Sequence, residues 1–124
     1  MMLLNKFFHI DRIEKGETPF FQLILDPEHE IFKAHFPGQP IVPGVCQIQI
    51  LLEAMQTVEQ CKLYLREIKN IKYLAVMTPD ETPRLALNVQ RLQRNQDSLS
   101  LIAVFQYGEK VYTKLSLTFV YEEI

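Results

Sequence analysis

Residues 35–53 hold the side chains most able to do proton and hydrogen-bond chemistry: His35, the pairs Pro37-Gly38 and Pro43-Gly44, then Gln49 and Glu53. An imidazole titrates near pH ~6.5, so His35 can accept or release a proton around neutrality. Proline before glycine suits the start of a helix, where an open backbone N–H with the helix dipole behind it polarises a carbonyl oxygen. Gln49 and Glu53 stand one turn apart and share a helix face. An amide holds a hydroxyl or a water; a carboxyl can also transfer a proton. Groups of this kind serve acid–base work beside a polarised carbonyl.

The elements that must position them follow from periodicity. From Val45 to about Gln60, Val45, Ile48, Leu52, Met55 and Val58 recur at three- and four-residue steps. Ile50, Leu51 and Ala54 fill much of the remaining circumference, which predicts a helix buried on most sides. Residues 6–13 and 20–25 mix β-branched and aromatic side chains around a loop at 14–19 that contains Gly16, a hairpin pattern. Residues 26–43 carry four prolines and one glycine, too many interruptions for a long helix or a central strand, and read as an ordered loop. Four apolar runs follow at 68–77, 83–92, 99–107 and 111–121, with Gly108-Glu109 as the last turn. A helix apolar almost all round needs a surface wrapped about it, and a curved antiparallel sheet supplies one. The expectation is an α+β fold of one domain spanning 1–124; an open sheet with the helix on one face is the alternative.

Residues 35–45 read His-Phe-Pro-Gly-Gln-Pro-Ile-Val-Pro-Gly-Val. This stretch resembles the signature of the hot-dog-fold 3-hydroxyacyl-acyl-carrier-protein dehydratases, H-F-P-G-x-P-I/V-M/V-P-G-V/C, and matches it at every fixed position. Residues 72–80 are similar, more weakly, to the family's later segment ending V-x-P-G-D, without its glycine. The resemblance implies a hot-dog fold, a sheet wrapped around one long helix, and a homodimer, or an oligomer of dimers, with the site across the interface. It implies His35 as the base, the Gly44 N–H on the thioester carbonyl, and Phe36, Pro37, Gly38, Pro43, Gly44 and Val45 lining the substrate site, without metal or cofactor. Dehydration needs a base at C2, donors for the charge growing on the thioester oxygen, and a group that protonates the departing hydroxyl. For the last role the family has Glu or Asp where this chain has Gln49. The helix reads Gln49-x-x-x-Glu53 where the family reads Glu-x-x-x-Gln, and loss of a general acid removes roughly 10²–10⁴ in rate. Gln49 and Glu53 therefore join His35 as candidate catalytic residues. Glu53 has a second reading as a carboxylate without a chemical role.

Composition narrows the function classes. The net charge of −2 and sequence pI near 5.9 give no global attraction to nucleic acid or anionic lipid. The apolar stretch at residues 1–10 is far shorter than the ~18 residues a membrane span requires. Cys46 and Cys61 fit neither a zinc site nor a disulfide framework and suit a reducing cytoplasm. Cys46 falls in the helix's first turn, as a reactive thiol or a small buried hydrophobe. His9 and His29 have no motif around them. Lys62, Arg66, Lys69, Lys72, Arg84, Arg91 and Arg94 offer either a docking patch for an acidic carrier protein or an ordinary solvated surface. Three functions remain open: a dehydratase of 3-hydroxyacyl thioesters on acyl carrier protein or CoA, in fatty-acid or polyketide-like lipid biosynthesis; a non-catalytic acyl-thioester-binding or partner subunit; and, less in keeping with Gln49, a hot-dog thioesterase.

Overall fold

The computed structural model describes residues 2–34, 38, 40–82 and 84–122. Strands β1 (Phe8–Glu14) and β2 (Phe20–Leu25) precede a short helix α1 (Glu30–Ala34) and the long helix α2 (Gly44–Glu59). Strands β3 (Leu63–Tyr73), β4 (Arg84–Arg94), β5 (Ser98–Tyr107) and β6 (Lys110–Tyr121) complete the chain. The six strands form one antiparallel sheet in the order β1-β2-β4-β5-β6-β3. One sheet face and α2 share a single core: Ile50, Leu51, Ala54 and Met55 of the helix meet Phe21, Leu87, Phe105, Leu115 and Phe119 of the strands, all at 0% exposure. This is the α+β, hot-dog arrangement.

The hairpin β1–β2 and the turn at Gly108-Glu109 form as the sequence predicts, Gly108 with φ +58°, where a Cβ is disfavoured. Three expectations need correction. The loop at 26–43 contains α1, whose first turn is held by His29, its Nδ1 accepting from Ile31 N at 3.1 Å. The helix face is also rotated: Val45 is 67% exposed, and Ile48, Leu52 and Val58 are only partly buried, whereas the buried positions are 46, 47, 50, 51, 53, 54 and 55. Sheet contact covers one side of α2, so the helix is buried on that side rather than on most sides.

The third correction concerns β3, expected over 68–77 and found at 63–73, with Leu74 to Met77 beyond its end. Register shifts between Leu65 and Glu67 and between Ile68 and Asn70 are the cause. Leu63, Leu65, Ile68, Ile71 and Tyr73 lie opposite Tyr121, Phe119, Leu117, Leu115 and Thr113 of β6, so bulges stretch the two-residue alternation to three. The same device acts in β4, where a shift between Val89 and Arg91 moves the inward series from Leu85, Leu87 and Val89 to Leu92.

The C-terminal end of α2 is locked to the sheet. Arg94 of β4 donates to both oxygens of Glu59, at 2.9 and 2.8 Å, and the Tyr121 hydroxyl donates to Glu59 Oε1 at 2.7 Å. The Arg94 hydrogen bond holds the Glu59 carboxyl below its ordinary value of 4.5, with Tyr121 adding to it and burial opposing it. Burial first, then the bond to Glu59, pushes the Tyr121 phenol up to about 12. A carboxyl depressed in the folded state stabilises fully above its unfolded value and loses that contribution as pH falls through the folded one. Replacing Glu59 with Gln is therefore expected to cost about 1–2 kcal/mol at neutral pH, with the gap to wild type closing below about pH 4. Urea unfolding of both proteins at neutral and acid pH measures this.

Candidate functional site

The mouth of α2 is a junction of three segments. Pro43 stands at the N-cap in an extended conformation, and Cys46 N and Gln47 N both bond back to Pro43 O, at 3.0 and 3.1 Å. Proline cannot supply a capping side chain, and the N–H groups of Gly44 and Val45 have no acceptor among the described residues. Gln47, 3% exposed, fixes this turn in place: its Nε2 donates to Val42 O at 3.2 Å, and its Oε1 accepts from the buried Thr113 hydroxyl of β6 at 2.6 Å. Val42 N donates to Met77 O at 2.8 Å, and Leu74 N and Ala75 N both donate to Tyr112 O, at 2.8 and 3.1 Å. The segment before the helix and the segment after β3 are thereby held against one another.

Between them runs a groove of about 500 Å³, with Ile41, Val42, Pro43 and Gly44 on one side and Tyr73, Leu74, Ala75, Val76 and Met77 on the other. Its size is that of a small-molecule site, and its walls are mostly apolar. A Cβ at Gly44 would overlap the Tyr73 hydroxyl and ring, so a side chain there would have to displace this exposed phenol. Val45 is exposed beside this mouth. Gly38, with φ +87° in the region open to glycine, borders a separate hollow formed with Pro27, Phe32, Lys33 and Pro40. His35, Phe36 and Pro37 lie outside the described residues.

Gln49 and Glu53 do share a helix face, and they are joined: Gln49 Nε2 donates to Glu53 Oε2 at 2.8 Å. Glu53 is 1% exposed and turned toward the N-terminal segment. Its Oε1 accepts from Leu3 N at 2.9 Å and from Leu4 N at 2.7 Å, and its Oε2 also accepts from Leu3 N at 2.9 Å. Backbone donors thus surround a carboxylate that would otherwise be costly to bury. Cys46 is buried, and burial pushes its thiol up, so it behaves as a small hydrophobe. His9 is exposed on β1, and His29 serves α1 and meets Phe7 edge-on. Among the described residues no His, Cys, Asp and Glu side chains gather as a metal site, and no helix is long and apolar enough to cross a membrane.

Residues 11–114 match the ApeI-like family model, described as ApeI dehydratase. The chain belongs to the ApeI-like dehydratase family. It is 30% identical over 118 residues to the 3-hydroxyacyl-acyl-carrier-protein dehydratase FabZ of Levilactobacillus brevis, covering 90% of this chain and 78% of that one. Among solved structures, the dehydratase heterocomplex ApeI:P of Xenorhabdus doucetiae superposes with a TM-score of 0.69 at 22% identity, over 90% of this chain and 96% of that one. A thioesterase of Staphylococcus aureus subsp. aureus Mu50 superposes with a TM-score of 0.63 at 13% identity, over 94% and 93%, a likeness of fold alone.

Within this ApeI-like chain, sequence patterns pointed to Gly44, Gln49 and Glu53 but not to Gln47, Thr113 or Tyr73. Gln47 carried a signal, a polar residue next to the motif on an apolar helix; the other two reach the site through strand pairing. Glu53→Ala would leave three N–H groups facing an empty space and is expected to lower stability by roughly 2–4 kcal/mol. Gln49→Ala should cost less than about 1 kcal/mol. Thermal and urea unfolding of the two variants checks the difference.

Proposed function

We propose that this chain dehydrates 3-hydroxyacyl thioesters carried on acyl carrier protein or CoA, in fatty-acid or polyketide-like lipid biosynthesis, in the groove at the mouth of α2. The groove carries the reading: its apolar walls include Gly44, whose N–H has no acceptor among the described residues, in a chain of a dehydratase family. The thioester carbonyl accepts from Gly44 N–H, which steadies the enolate oxygen as His35 removes a proton from C2. Gln49 holds the 3-hydroxyl as it departs, and Glu53 acts through Gln49 by fixing its amide. Pro43 borders this groove, and the family resemblance adds Phe36, Pro37, Gly38 and Val45 as residues that contact the substrate.

A second hot-dog subunit completes the site. Strand β3 is a sheet edge with Leu65, Ile68, Leu74 and Val76 exposed at and just beyond it, a surface suited to a second copy. The likeness to the ApeI:P heterocomplex favours a second reading, in which this chain binds the acyl thioester and a different hot-dog chain contributes the carboxyl.

The test is turnover of 3-hydroxyacyl carrier protein, followed by enoyl formation, with free thiol measured in parallel. Slow dehydration that His35→Ala abolishes is expected. Its rate should rise with pH along one limb as the imidazole loses its proton. The double exchange Gln49→Glu with Glu53→Gln should raise the rate by about 10²-fold and add a second, descending limb. Acyl binding without turnover until the exchange is made supports the partner reading. Thiol release in place of enoyl product, or no turnover above His35→Ala in either protein, overturns the dehydratase.

A further inference from the structure

Tyr73 closes β3 opposite Thr113 of β6, the same threonine that fixes Gln47 and with it the first turn of α2. That pairing carries the phenol to the helix mouth, where its hydroxyl and ring occupy the space a side chain on residue 44 would need. The residue is 55% exposed along the groove wall, and its hydroxyl has no hydrogen-bond partner among the described residues. Two donors therefore border the same apolar-walled groove: the Gly44 N–H and, in the space beside that residue, a phenol O–H free to rotate.

We infer that Tyr73 is a further catalytic residue, the second hydrogen-bond donor to the thioester carbonyl oxygen beside the Gly44 N–H. The assignment rests on the thioester reading of the groove. As C2 loses its proton, the electron pair moves toward the carbonyl oxygen, and a phenol O–H within reach shares that growing charge without giving up its proton. A hydroxyl lying over Gly44 sits at the carbonyl end of the substrate, so its role is polarisation and not protonation of the departing hydroxyl at C3. Glycine at position 44 leaves the phenol this place, since a Cβ there would displace it. If the ring served only to pack on Gly44, phenylalanine would do equally well.

Tyr73→Phe separates the two roles, since it removes the hydroxyl and keeps the ring. In turnover, kcat is expected to fall by about 10²-fold with KM little changed. The second readout needs no turnover: the infrared stretch of a saturated acyl thioester, labelled with 13C at its carbonyl and presented on CoA or on a carrier protein. Bound to the wild type, the carbonyl band should move to lower frequency, and Tyr73→Phe should reverse part of that shift while Gln49→Ala leaves it in place. A Tyr73→Phe protein with the wild-type kcat and carbonyl band overturns the assignment and leaves the dehydratase reading standing. A wild-type protein that holds neither thioester overturns both.

Discussion

A helix laid against a sheet core can satisfy its buried polar groups only by bonding to other parts of the chain. Helix α2 does this at every turn. Gln47 takes Val42 and Thr113, Glu53 takes the backbone of Leu3 and Leu4, Gln56 accepts from Leu63 N at 2.9 Å, and Glu59 takes Arg94 and Tyr121. No buried side-chain nitrogen or oxygen among the described residues lacks a partner. The polar residues of α2 are therefore the points at which the pre-helix segment, the N-terminal segment, the start of β3 and the far strands are each tied to one element. The site inherits its order from the first of these ties, because the groove forms where the pre-helix segment faces the segment after β3.

That arrangement accounts for what was legible in the sequence. Helix α2, the β1–β2 hairpin and the Gly108 turn follow from local pattern, and so they were readable. The start of β3 was not, since two bulges turn Leu63, Leu65, Ile68, Ile71 and Tyr73 into a series with no fixed period. Prolines at 27, 37, 40 and 43 concealed α1, a helix too short to show a periodicity of its own. The rotated face of α2 reflects what covers it: Val45 and Ile48 fit an apolar stripe, yet the sheet meets the opposite series through Gln47, Ile50, Leu51 and Ala54.

The site divides in the same way. Gly44 stood out because proline and glycine at a helix start have a local meaning. Tyr73 did not, since nothing near it in sequence connects it with residue 44; the antiparallel register of β3 on β6 does. The partners of Glu53 were hidden for a different reason. They are backbone N–H groups of Leu3 and Leu4, and any residues other than proline in those places would offer the same donors.

Gln49 and Glu53 are best understood as a pair. Four residues apart, they are separated by about 6 Å along the axis, and the amide of one touches the carboxylate of the other. With Glu53 enclosed and bound to backbone donors, a second carboxylate at the half-buried position 49 would place like charges side by side. An amide removes that conflict and adds a donor to the carboxylate. The amide at 49 and the acid at 53 thus each make the other tenable. Moving the carboxyl to 49 requires taking it from 53, and the N-terminal segment would then lose the anion to which its N–H groups are bonded. In this chain the departure from the family's helix pattern and the fastening of residues 3 and 4 are one structural choice.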